Sequence, residues 1–101
     1  MFEIDGKIYE LKYNMRTIEQ IEATTKQSLM ASIRNTEGFL SIQDLKIYFG
    51  LALFNEDGKR VGNQQAMKMA EALIQEEGYM KVNQAVMSSI EKDCPFLFQA
   101  D

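Results

Sequence analysis

Carboxylates and one thiol carry whatever reactivity this sequence has. Glu19 and Glu22 stand three apart, Glu76 and Glu77 adjoin, and Cys94 is the single cysteine. Two carboxylates one helical turn apart can share a proton or hold a cation; on a solvated helix face they do neither. There is no His in the chain, which removes the commonest general base and metal ligand. Cys94 therefore has no imidazole to activate it within the chain, and it reads as a small buried apolar group near a helix end. The stretch Asn55-Glu56-Asp57-Gly58 invites a calcium-loop test. With Gly58 as the glycine of the sharp turn, Asn55 and Asp57 fall at ligand positions. Leu53 would then take the first ligand position and Gln64 the last, and neither is a carboxylate. No glycines lie close enough together to form a phosphate loop. These residue types point away from catalysis, metals and cofactors, and towards a non-enzymatic binding protein.

Composition narrows the class further. The 101 residues make one domain, spanning 1–101. A domain of that size buries roughly two thirds of the surface its unfolded chain exposes. With 46% hydrophobic and 26% charged residues, the chain is no disordered acidic tail. Net charge is −4, and the longest basic run is the pair Lys59-Arg60. The sequence thus has no electrostatic footprint for nucleic acid or for an anionic membrane surface. A lone cysteine forms no internal disulfide and suits a reducing compartment. The opening MFEIDGKIYE has no basic region followed by an apolar run, so no signal peptide is expected and the location reads as cytoplasmic. The segment Gln27-Ser28-Leu29 resembles the phosphopantetheine site of the small, acidic, helical acyl carrier proteins, but Gln27 stands where that site needs Asp.

The elements follow from periodicity. Residues 2–13, FEIDGKIYELKY, predict a β-hairpin around Asp5-Gly6. A two-residue turn would pair Ile4 with Lys7. A three-residue turn would pair Glu3 with Lys7 and Phe2 with Ile8, and is preferred because unlike charges and apolar groups then face each other. A lone hairpin is barely stable, so it rests on the helices or pairs with a second chain. Helices are predicted at about 15–24, 28–35, 41–54, 64–77 and 79–92, the first two being separate or one kinked helix. Met15, Ile18 and Ile21 form the first apolar stripe. Asn14, Ser41 and Asn63 are candidate N-caps, and Gly78 suits a helix end. The fold class is mainly α: a small bundle of four to five helices with an N-terminal hairpin, α+β by strict count.

The stretch 41–54, SIQDLKIYFGLALF, organises this bundle. Ile42, Leu45, Phe49, Ala52 and Leu53 share one side, while Ile47, Leu51 and Phe54 project from the other. A helix apolar all round needs cover all round, so it lies at the centre of the fold or turns Ile47, Leu51 and Phe54 into a subunit interface. A buried strand is the competing local assignment, since Tyr, Phe and Ile favour strands. Seven Met residues are many for this length, and flexible thioethers suit adaptable surfaces as well as core gaps. The candidate client surface is Met67, Met69, Met80 and Met87 with the tail residues Phe96 and Phe98. After Pro95 that tail either tucks onto the bundle or stays out as a docking peptide.

Residues Phe2, Ile4, Gly6, Lys7, Tyr9, Leu11 and Tyr13, followed by Ile18, Ile21 and Glu22, resemble a known signature. It is the N-terminal signature of tail assembly chaperones of long-tailed bacteriophages, of the kind encoded by phages of Gram-positive hosts. The match covers about the first quarter of the chain; beyond it only length, acidity and helical character agree. The resemblance implies a non-enzymatic protein, without cofactor or metal, in the cytoplasm of a bacterial host. It implies binding of the coiled-coil tape measure protein, which such chaperones keep soluble until tail tube subunits polymerise around it. It also implies self-association and a short form ending near residue 101 beside a frameshifted longer one. The alternatives are a small structural head–tail connector or tail component, or another acidic helical protein-interaction module.

Overall fold

The computed structural model describes residues 2–98. Asp5 and Gly6 both take positive φ, 51° and 80°, as a two-residue type I′ turn requires. Strands β1 (Phe2–Ile4) and β2 (Lys7–Leu11) flank it. The register is Ile4↔Lys7, Glu3↔Ile8 and Phe2↔Tyr9, which corrects the expected three-residue turn. A type I′ turn matches the right-handed twist of its strands. It also sets the Phe2 ring 6.3 Å from Tyr9 and 6.0 Å from Phe49. Aromatic packing of that kind outweighs an exposed Glu3–Lys7 pair, worth about 0–1 kcal/mol.

The stretch 41–54 is not one helix. Ser41 Oγ accepts the Asp44 N–H at 3.0 Å and starts α3 (Ile42–Gly50). The chain turns at Leu51-Ala52 and re-enters as β3 (Leu53–Asn55), giving an antiparallel sheet in the order β1-β2-β3. The helix period therefore overran by one turn. Gly50 is a poor helix former, and Leu53 gains more opposite Leu11 in the sheet, where both are buried. The outer edge of β3 is covered, because Val61 N–H donates to Leu53 O and Asn55 N–H to Lys59 O. The outer edge of β1 has no strand beside it among the described residues.

The remaining helices are α1 (Met15–Thr25), α2 (Leu29–Asn35), α4 (Asn63–Glu77) and α5 (Tyr79–Asp93), followed by a 3-10 turn at Pro95–Leu97. Asn14 Oδ1 caps α1 through the Thr17 N–H at 2.9 Å. Lys26 at φ 61° ends it, so α1 and α2 are separate helices. Asn63 does not cap α4. Gly62 holds that position, and Asn63 lies inside the helix with its Oδ1 accepting from Arg60 Nη2 at 2.7 Å. Gly78, at φ 97°, is both the last cap of α4 and the first of α5.

Helix α3 is the hub, packed against α1, α4 and α5. The core gathers Ile21, Leu29, Leu45, Tyr48, Phe49, Leu53, Val86 and Ile90. Met15 and Ile42, expected inside, are 62% and 56% exposed. Each is the first residue of its helix, and the stripe it belongs to reaches the core only one turn later. The described residues form a mainly α domain of five helices and one three-stranded sheet. No helix is long and apolar enough to cross a membrane, among the described residues.

Candidate functional site

Most residues with reactive groups are taken up by the fold, while Glu19 and Glu76 lie exposed on their helices. Glu22 Oε2 accepts the Leu29 N–H at 2.9 Å, tying α1 to the start of α2. Ser28 Oγ accepts the Ala31 N–H and so caps α2, while Ser32 Oγ donates to Gln27 Oε1. Glu77 pairs with Lys81 at 2.8 Å, and that hydrogen bond holds its carboxyl below the usual value. Asn55 Oδ1 accepts from the Asp57 and Lys59 N–H groups and shapes the loop that had suggested calcium. Cys94 is fully buried at the end of α5, and burial, then Asp93, pushes its thiol up. Among the described residues no three of His, Cys, Asp and Glu are placed to hold a metal ion.

What the fold does build is a groove of about 470 Å³ between the hairpin and α5. Its apolar lining is Phe2 and Leu11 from the hairpin, Phe49 from α3, Leu73 from α4, and Val82 and Ala85 from α5. One wall is a full face of α5, with Ala85, Ser88 and Ser89 between Lys81 and Lys92. At 1.5 Å per residue that wall runs about 16 Å, three helical turns. Glu3 and Glu10 stand on the hairpin side. The two sides are clasped at one end, where the Tyr13 N–H donates to Asp93 Oδ2 at 3.0 Å. The Tyr13 hydroxyl donates to Tyr48 O at 2.8 Å, and burial pushes its pKa far up.

The methionines expected to form one surface are dispersed. Met67 lies over Gly50, where a Cβ would sit 2.8 Å from its Cε. Met69 lines a small hollow with Ile4, Asp5 and Leu73. Met87 is half-buried against the core and Met80 is 61% exposed near the start of α5. The tail divides too: Leu97 packs on the core, while Phe96 and Phe98 remain 44% and 42% exposed. Of the proposed self-association residues, Leu51 is buried in this chain's own core, and Ile47 and Phe54 are half-buried. Lys12 Nζ lies 5.3 Å over the Phe54 ring.

Phe2, Leu11, Phe49 and Glu77 stood out in the sequence for other reasons, but nothing there joined them to Leu73, Val82, Ala85, Ser88 and Ser89 in one groove. A visible signal was the α5 face itself, where three small side chains sit between two lysines at helical spacing. A second exposed feature is Phe39, 53% exposed. Its neighbours are fixed by α5: Asn83 Oδ1 accepts the Leu40 N–H, Asn83 Nδ2 donates to Gly38 O, and the Tyr79 hydroxyl donates to Leu40 O. Comparison with protein-family models, curated proteins and solved structures finds no match for this chain.

Proposed function

We propose that this chain is a non-enzymatic tail assembly chaperone of a long-tailed phage. It binds the tape measure protein in the host cytoplasm and keeps it soluble until the tail tube forms. The observation that carries this reading is the groove, whose lining takes Phe2 and Leu11 from the hairpin that bears the family signature. A helical, amphipathic client covered along an apolar groove loses the surface through which it would aggregate. Self-association belongs to the same reading.

The test is co-expression with the long, helix-rich reading frame downstream. A clear rise in that product's soluble fraction, with co-elution, supports the chaperone. No rise and no co-elution overturns it. The edge of β1, which has no strand beside it among the described residues, favours a second reading, a structural tail or connector component whose hairpins pair between subunits. Such a component forms a closed ring of fixed stoichiometry, which light scattering detects.

A further inference from the structure

We propose that the occupant of the groove is a single amphipathic α-helix of about three turns, laid along α5 and directed by Lys92 on one side and Glu3 on the other. This rests on the binding reading above and adds the secondary structure, length and charge pattern of the bound segment.

The backbone decides between helix and strand. An extended peptide needs partners for its own N–H and C=O groups. The nearest source is the β1 edge, three residues long. In its register only the middle residue, Glu3, lies between hydrogen-bonded pairs and turns its N–H and C=O outward. The rest of the floor is the side chains of Phe2, Leu11, Phe49, Leu73 and Val82, which accept no hydrogen bonds. A strand laid there would bury unpaired amides at roughly 1–3 kcal/mol each. A helix brings its hydrogen bonds with it and presents only its apolar stripe. The wall opposite is shaped for that, since Ala85, Ser88 and Ser89 let a second helix approach α5 between the two lysines.

The rim charges set direction. Lys81 is held by Glu77, Glu10 lies 3.9 Å from Lys12, and Asp93 accepts from the Tyr13 N–H. Lys92 and Glu3 have no ion pair or hydrogen bond among the described residues, and they stand on opposite sides of the groove. A helix with acidic residues along one flank and basic residues along the other satisfies both in one direction only. Exposed pairs of this kind add little affinity and mainly fix orientation.

The probe is a fluorescein-labelled peptide of about four turns, with Leu or Met at alternating three- and four-residue spacing, Glu on one flank and Lys on the other. Fluorescence anisotropy reads its binding to the full chain. Ala85→Trp places an indole in the groove at an exposed position and is expected to weaken binding more than about tenfold, or 1.4 kcal/mol. A peptide with two central prolines is expected not to bind. Lys92→Glu is expected to weaken binding about two- to fivefold, and adding Glu3→Lys restores it, because the helix turns end for end. Circular dichroism of each variant confirms the fold. Undiminished binding by Ala85→Trp, or equal binding of the proline peptide, overturns the inference. So does a parent dimer that Ala85→Trp makes monomeric without any peptide binding, which gives the groove to a second copy. A tape measure protein that co-elutes equally with parent and Ala85→Trp sinks the groove and leaves the chaperone standing. Peptide binding that Ala85→Trp abolishes, by a parent chain that neither solubilises the tape measure protein nor co-elutes with it, does the reverse.

Discussion

Tyr48 is fully buried, yet its hydroxyl makes no hydrogen bond among the described residues. Nearby Ser32 donates to Gln27 instead. An unmade buried hydrogen bond is a cost of order 1–3 kcal/mol, so Tyr48→Phe should leave stability equal or raise it by about 1 kcal/mol, read from the urea midpoint. The same residue gives a pH prediction. Burial pushes the Tyr48 phenol up to about 12, and the charges of Asp44 and Glu22 add to the shift. The unfolded tyrosine ionises near pH 10, so between about 10 and 12 the folded chain binds the extra proton. Stability contributed by the neutral buried phenols is therefore full below pH 10 and falls as pH rises from there. Tyr13 shifts in the same direction. In Tyr48→Phe the alkaline fall should be shallower, as followed by urea unfolding against pH. Asn83 is the opposite case, buried and satisfied on both sides by Gly38 and Leu40. Asn83→Leu strands both backbone groups and should cost about 2–4 kcal/mol, with amide exchange at Leu40 rising first.

At the scale of elements, the turn and the helix junctions hold most of the testable content. Gly6 sits at φ 80°, so Gly6→Ala should cost about 1–2 kcal/mol, whereas Asp5→Asn at φ 51° should be neutral or slightly stabilising. Gly50→Ala gains helix propensity but drives its new Cβ into Met67. Because the far end of Met67 is flexible, the net should be near zero in the parent and stabilising by up to about 1 kcal/mol in Met67→Ala; a double-mutant cycle measures the coupling. These elements also show what could be read in advance. Asn14, Ser41 and Gly78 marked their helix ends because capping chemistry is local. Asn63 misled because Gly62 occupied the cap and Arg60 claimed the amide. The third strand was hidden because Leu53 and Phe54 continue the two apolar sides of the helix in sequence, and only their pairing with Leu11 and Glu10, which the fold supplies, makes them a strand. The groove was less legible still. Phe2, Phe49, Leu73 and Val82 come from four elements, and no window of sequence contains their neighbourhood.

For the molecule as a whole, one core runs from the hairpin to α5. Leu53 lies in the sheet and Ile90 in the last helix, both fully buried. Truncating either to Ala should cost about 2–5 kcal/mol, a large part of the 5–15 kcal/mol expected of a domain this size. If the core is continuous, each variant should unfold with its helical circular dichroism and its tyrosine fluorescence superimposed; separated transitions would show the sheet to be an independent unit. The third strand adds a matter of timing. The hairpin is made before the helices, but β3 follows only after α1, α2 and α3, and the Asp93 clasp only after α5. A growing chain therefore carries an unfinished hairpin with its aromatic face bare. The groove comes into being only when α5 meets the hairpin, so any ligand that fits it selects folded domains and passes over growing chains that still lack α5.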